Sequence, residues 1–486
     1  MAETDFPKML VQPGEYPAEW YYDGQVFAGE CDLRPLRPAL AVVHGSMKPD
    51  GSAVRHYPRT WSESYLTGRL RSGHDVELAD CHVSAWPGAL TDGEQNQVGA
   101  RWAIVGVGTR SIPDRRYDRI RLQLSGLDEF FLTSPVGSYV WPRQPIEGEQ
   151  REGTETLKER IAGQLNPDRN REWIQEGITL RCGYEHTMPM SGYQIAATFA
   201  PIISIDSDSP LDLDTWISHW VQPLLRLVTF ATRTRQDVAW MTVHRRVPDD
   251  HHPLGEATIS GQVFGGGISQ VPFSAQRPEP RQGPDRPLLS LPDLPAPLPQ
   301  LVRRWFELDG ADSHPFVELF RLVLFTPDLP ERARCLYLTQ ALEALHATEH
   351  AEEDADRERL HVERRSEVLQ SLGSIGLDQA TMKFIKKNLT PRPLASLESR
   401  LKPLIDDVDA GLEDMISDLE RGGIGQRLAE KGATSFPDMV RLLRNHLSHG
   451  SQNYPAHELK AWSEALARVA EHHLIRLLVG ESPGPR

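Results

Sequence analysis

Cysteine is scarce in this chain of 486 residues. The four present, Cys31, Cys81, Cys182 and Cys335, are far apart and form no C-x-x-C pair. That spacing argues against a disulfide framework and against a zinc ribbon, and it fits a reducing compartment. Long apolar runs are missing too: none approaches the ~20 residues that a membrane-spanning helix needs. Met1-Ala-Glu-Thr-Asp5 has neither a basic region nor an apolar core, so no secretory leader is expected. The expected location is the cytoplasm, with no membrane partner. Positive charge is also short, with 53 Lys and Arg against 68 Asp and Glu and a formal net charge of −15. A surface that coats nucleic acid normally shows a basic stripe, so that class is disfavoured, while an enzyme gripping RNA at one local site remains compatible. Gly265-Gly266-Gly267 opens no predicted helix and lacks the P-loop lysine, so nucleotide binding there is weakly supported and no cofactor is expected.

Enough apolar residues are present, at 39%, for real cores, and the length allows roughly three units of ~150 residues. Short runs rich in Val, Ile, Leu and aromatics favour strands from about residue 18 to 135. They are Gln25–Leu33, Leu40–Met47, Tyr65–Leu70, Asp75–Trp86, Arg101–Val107 and Arg119–Leu124. Six short strands in about a hundred residues suggest a sandwich or a curled sheet. The charged stretch 153–175 reads as a surface helix or an ordered insertion, and strands resume at Ile178–Gly183 and Gly192–Ile205. Asp214 is a candidate N-cap for a helix whose stripe includes Trp216, Trp220 and Leu224, with Pro223 expected to kink or strain it. Trp216 and Trp220 are expected in the core.

Nine prolines between Pro272 and Pro299 exclude helix and central strand there. The interleaved Leu288, Leu289, Leu291, Leu294 and Leu298 suggest a segment laid along a surface. The chain therefore divides into a β-rich part (1–271), a Pro-rich junction (272–300) and a helical part (301–486). Predicted helices follow at Leu301–Leu308, Pro315–Leu324, Pro330–Thr348, Ser396–Val408, Met415–Arg421, Ser435–His449 and His457–Val479. The charged run 349–372 between them reads as a solvated helix or lid. The fold class is α+β multidomain, a β-rich N-terminal half followed by an all-α bundle.

The chemistry concentrates in Arg444-Asn445-His446-Leu447-Ser448-His449, at the end of a helix with clean boundary signals. Ser435 is a plausible N-cap, Pro437 and Asp438 suit the first turn, and Gly450 suits the terminator. Residues 421–486 carry nine Lys and Arg against six Asp and Glu, so basic character gathers here. A guanidinium matches phosphate in a fork and cannot lose its charge, which suits Arg444 to a scissile phosphodiester and its more negative transition state. A histidine near its ordinary pKa of ~6.5 can take the 2′-hydroxyl proton or protonate the leaving 5′-oxygen, the role given to His449. Asn445 can position the phosphate or the base. Arg444 and His449 lie ~140° apart on an ideal helix, so one helix alone makes an awkward site. His446 and His449, three residues apart, invite a metal reading, but no carboxylate or cysteine lies at ligand spacing and no metal site is expected. The bland reading is a helix end where Arg444 and His449 complement the negative dipole.

The hexad resembles the R-x4-6-H motif of HEPN domains, polar residue after the arginine included. That resemblance implies a metal-independent endoribonuclease whose composite site forms between two copies, leaving a cyclic phosphate and a 5′-hydroxyl. The β-rich half, with Gln25–Leu33 and the Ser209–Trp216 helix entry, together with the C-terminal motif resembles ApeA-type anti-phage defence proteins. Tyr337–Leu345 is similar to the first core helix of the HEPN family, which would bring Glu343 near the site. The resemblance implies catalytic Arg444, Asn445 and His449, with Glu343, Arg441, His446 and Ser448 as supporting candidates. Its partners would be RNA, cellular or phage, a second copy of the chain, and a phage-derived activator. Abortive infection through RNA cleavage is the role it implies. The competing class is a non-catalytic HEPN-like module for nucleotide or RNA binding or for assembly. A toxin-like protein neutralised by a separate antitoxin fits less well, because the long N-terminal half can supply the regulation.

Overall fold

The structure, a computed structural model, describes residues 9–480 except 36, 49–56, 88–93, 110–111, 134–135, 141–161, 167–168, 188–189, 192–193, 196–197, 249–255, 270–286, 311–313, 327, 390–395 and 409–410. Two compact units divide between Arg303 and Arg304. The first is built on a twelve-stranded sheet and the second is helical.

Strands β1 (Glu15–Tyr22), β2 (Gln25–Asp32), β3 (Ala39–His44), β4 (Arg59–Leu70), β5 (Asp75–Pro87) and β6 (Glu94–Gly106) are joined in the order β6-β3-β2-β1-β4-β5. β5 also pairs with β6 along its whole length, so the six strands close on themselves. The expected sandwich or curled sheet is thus a small barrel, in which β1 meets β4 only at Thr67–Leu70 and β2 meets β3 only at Gly29–Asp32. Its interior holds Trp20, Val43, Leu66, Leu78, Val83 and Val98. Trp20 is fully buried, and a Cβ added at Gly29 or Gly68 would meet its indole at 2.9 and 2.6 Å. Those two glycines make the room that the ring fills. The first hairpin turns at Asp23-Gly24, both with positive φ, the conformation that a two-residue type I′ connection requires.

β6 belongs to two systems. Its first part, Gln95–Ala100, pairs with β3; its last part, Trp102–Gly106, pairs with a strand from far along the chain. With β7 (Arg116–Leu124), β10 (Arg171–Gln175), β11 (Ile178–Thr187), β14 (Thr198–Asp212), β15 (Val238–Pro248) and β16 (Glu256–Gly265), the sheet continues as β6-β16-β15-β7-β14-β11-β10. Two small hairpins, β8 (Val136–Val140) with β9 (Ala162–Leu165) and β12 (Met190–Ser191) with β13 (Gln194–Ile195), lie outside it. Within the charged stretch 153–175, residues 153–161 lie outside the described residues and the rest supplies β9 and β10. Helix is not formed there because Arg171–Gln175 is captured as a strand by β11 across the Glu176-Gly177 turn. Asp249-Asp250-His251-His252 also lies outside the described residues.

A short helix, α1 (Leu127–Phe131), precedes a longer helical stretch of α2 (Leu213–Trp216), a π-turn at Ile217–Val221 and α3 (Gln222–Thr232). Its N-cap is Asp212, which accepts from the Thr215 N–H, and not Asp214. Asp214 instead lies 3.3 Å from the Arg101 guanidinium. Pro223 falls just after the π-turn: the ring removes one helical donor, and the wider turn absorbs the misfit without ending the helix. Trp216 is fully buried and donates to the Tyr117 carbonyl at 3.1 Å, and Trp220 is buried as well. Of the junction, Leu288 and Leu289 donate to the Ala231 carbonyl, and Leu289, Leu291 and Leu298 are buried.

The helices that follow are α4 (Leu298–Leu308), α5 (Pro315–Phe325), α6 (Glu331–Glu349), α7 (Ala351–Ser374), α8 (Gln379–Asn388), α9 (Leu397–Asp406), α10 (Gly411–Arg421), α11 (Gly423–Ala429), α12 (Phe436–His449) and α13 (Ala456–Val479). α6 is the central helix, packed on α5, α9, α12 and α13. It buries Leu338, Leu342 and Leu345, while α9 contributes Leu401 and Leu404 and α12 contributes Val440, Leu443 and Leu447. The charged run forms α7, which with α8 buries no residue at all.

Candidate functional site

Helix α12 forms where its boundary residues place it. Ser435 Oγ accepts the Asp438 N–H at 3.3 Å, Pro437 sits in the first turn, and Gly450 takes φ +64° to end the helix. Met439, Val440, Leu443 and Leu447 are buried, which fixes the helix on its neighbours. Arg332, in the first turn of α6, donates to the Leu447 carbonyl and ties down the C-terminal end.

Arg444 lies on the side of α12 that meets α6. Its Nε is 3.6 Å from Glu343 Oε1, close enough for charge attraction but too far for a hydrogen bond. That Nε is shielded from solvent and has no hydrogen-bond partner among the described residues. Asn445 Oδ1 receives a long contact of 3.5 Å from Arg444 Nη1. Around these groups is a cleft of about 160 Å³ lined by Glu343, Leu397, Arg400, Arg444 and Asn445. Three helices build it: α6 brings a carboxylate, α9 a guanidinium and Leu397, and α12 a guanidinium and an amide. Among the described lining residues two cations and one anion leave it net positive in a chain of net charge −15, and guanidinium donors without acceptors suit it to an oxyanion.

The other candidate residues on α12 are placed differently. Arg441 is engaged one turn back on its own helix, with Nε 2.8 Å and Nη2 2.6 Å from the buried Asp438 Oδ1. His446 Nδ1 is 2.7 Å from the Tyr454 hydroxyl, and its Nε2 is 3.3 Å from Lys431 Nζ. Tyr454 donates its own proton to Gln452 Oε1 at 2.9 Å. His446 must therefore carry its proton on Nδ1 and accept from the lysine at Nε2, the neutral tautomer. Burial, then the nearby Lys431 ammonium, lowers its pKa in agreement. Ser448 and His449 are exposed in the last turn. His449 does not line the cleft; on an ideal helix it lies ~7.5 Å further along the axis than Arg444 and on another side. Among the described residues no group of three or more His, Cys, Asp or Glu is arranged to hold a metal ion.

Arg400 is the lining residue that sequence reasoning misses. It sits four residues into a short amphipathic helix with no local motif, and only the packing of α9 on α6 and α12 brings it to the hexad. Two larger clefts lie in the first unit. One, of about 380 Å³, includes Arg121, Arg171, Arg181 and Glu185, and the other, of about 340 Å³, includes Tyr65, Glu77, Arg115 and Tyr117. Their arginines are largely committed: Arg121 to Glu185, Arg181 to Asp206 and Glu172, and Arg115 to Glu77 while stacked on Tyr65 at 3.7 Å.

Among the described residues no helix is long and apolar enough to cross a membrane. No curated protein and no solved structure matches the chain. Residues 20–305 match the family model described as ApeA N-terminal domain 1. The stretch runs from within β1 through the rest of the barrel and the extended sheet to within α4. With more than half of its length covered by that model, the chain belongs to the ApeA N-terminal domain 1 family.

Proposed function

We propose that this protein is a metal-independent endoribonuclease of the HEPN type that acts in anti-phage defence, cleaving RNA at a site completed by a second copy of the chain. Arg444 holds the scissile phosphate and Asn445 positions it. His449 takes the proton from the 2′-hydroxyl as that oxygen attacks phosphorus, and the corresponding histidine of the second copy protonates the departing 5′-oxygen. The bond from phosphorus to the 5′-oxygen breaks, and the products carry a 2′,3′-cyclic phosphate and a 5′-hydroxyl. The observation that carries this reading is the guanidinium of Arg444, half-buried beside Asn445 in a net positive cleft with its Nε unpaired. The exposure of His449 outside that cleft is the reason for the second copy: a single helix end does not bring the pair onto one phosphate. A binding module without cleavage is the reading that the same exposure favours, and catalysis separates the two.

The test is RNA cleavage by purified full-length protein with and without a chelator. Loss of cleavage in both Arg444→Ala and His449→Ala, with chelator making no difference, is the expected result. Cleavage at the wild-type rate in both variants overturns the proposal. Cleavage abolished by chelator points instead to a metal-dependent activity.

A further inference from the structure

We propose that Arg400 is a second phosphate-binding residue of the α6/α9/α12 cleft, so that an RNA backbone is gripped by two guanidiniums from different helices. The inference rests on the reading of that cleft as an RNA site and adds a residue outside the hexad. Arg400 and Arg444 line the same small cavity, and Glu343 is the one carboxylate among the described lining residues. Glu343 faces Arg444 at 3.6 Å, which leaves Arg400 without a counter-charge among the described lining residues. Like Arg444, Arg400 has a buried Nε with no hydrogen-bond partner among the described residues. An unmet guanidinium donor is costly, and two in one cavity are costlier, because their like charges add to the unmet hydrogen bonds. A phosphodiester supplies what both lack, negative charge and several acceptor oxygens in a geometry that matches the guanidinium fork.

Among the described residues, the surroundings do not offer a substitute. Glu398, two residues before Arg400, accepts from Ser435 Oγ at 3.2 Å at the start of α12. His346, on α6, is buried with its Nδ1 unpartnered, and burial, the neighbouring His350 and then Arg400 are among the influences that push its pKa down to about 4. A neutral His346 therefore neither adds to nor balances the charge of Arg400. A substrate with phosphates at regular intervals suits two arginines on separate helices, one at the scissile phosphate and one at a neighbour.

Binding of a fluorescent single-stranded RNA by the full-length His449→Ala protein, measured by anisotropy across a potassium chloride series, tests this without cleavage. Arg400→Gln in that background is expected to weaken binding about tenfold, the scale of one charged hydrogen-bonded contact. It should also flatten the slope of log affinity against log salt by about 0.7, the loss of one phosphate contact on a single strand. Arg400→Lys should keep the slope and lose part of the affinity, since it retains charge without the fork. Arg421→Gln, at an exposed site on α10, should change neither. Unchanged affinity and slope in a folded Arg400→Gln protein overturn the proposal. Should Arg400→Gln fail to fold, Arg400→Lys decides, with reduced affinity supporting the assignment and unchanged affinity overturning it. If RNA binding depends on Arg400 but no cyclic-phosphate ends are ever formed, the binding inference stands and the nuclease reading falls; cleavage that is indifferent to Arg400 does the reverse.

Discussion

Replacing Glu343 by glutamine should tighten RNA binding while hardly touching stability. The carboxylate lies 3.6 Å from Arg444 Nε, with the two side chains 25% and 34% exposed. At an effective dielectric of 20 the bare attraction is ~4.6 kcal/mol, but solvation and side-chain ordering cut such partly exposed pairs to about 1 kcal/mol or less. Removing that competitor frees Arg444 for phosphate, and about 1 kcal/mol is roughly a fivefold gain in affinity. The same figure bounds the stability cost, about 2–4 °C in melting temperature for a helical unit of this size. Anisotropy of labelled RNA on Glu343→Gln/His449→Ala, set against His449→Ala alone, reads the affinity, and a thermal melt reads the cost. Weaker RNA binding in a normally folded Glu343→Gln protein would refute the reasoning, because Glu343 would then be helping to hold the substrate.

Three other outcomes follow from the packing. Gly68→Ala, whose Cβ would meet Trp20 at 2.6 Å inside the barrel, should destabilise the first unit by about 2 kcal/mol, seen as a lower urea midpoint. His473 donates from Nε2 to the Leu404 carbonyl, and burial lowers its pKa to about 4, as it does for His346. Both are folded as neutral imidazoles, so their contribution is complete above the unfolded value of ~6.5 and is lost as pH falls toward 4. Chemical denaturation of the full chain should show stability falling by an amount on the order of 2 kcal/mol across that window, with a shallower fall in His473→Asn. Helices α7 and α8 bury no side chain, so brief proteolysis should cut within 351–388 before it cuts α6 or α13, as read by mass spectrometry.

Much of the helical part was legible because its signals are local. The N-cap at Ser435, the proline one turn in and the terminating Gly450 bound α12 by themselves, and the apolar spacing in α6 announced a core helix. Barrel closure was not legible, since it depends on β5 meeting β6 and on β6 passing from β3 to β16, pairings set by tertiary register. The strand Arg171–Gln175 was obscured by its charges, which belong to a sheet surface where Glu172 pairs with Arg181. At the site, the hexad singled out Arg444, which lines the cleft, while the supporting candidate Arg441 is bound to Asp438 on its own helix. His446 reads as chemistry in the sequence and is a hydrogen-bonded structural residue between Tyr454 and Lys431. Arg400 carried no sequence signal, because its proximity to Arg444 exists only once α9 has packed.

The central claim is that Arg444 and His449 cut RNA through 2′-hydroxyl attack. Sequencing of RNA termini after treatment with purified wild-type and His449→Ala protein tests it most directly. New 2′,3′-cyclic-phosphate and 5′-hydroxyl ends are expected with the wild type and none with the variant. Cuts that leave 3′-hydroxyl and 5′-phosphate ends, or cyclic-phosphate ends that persist undiminished without His449, would contradict it.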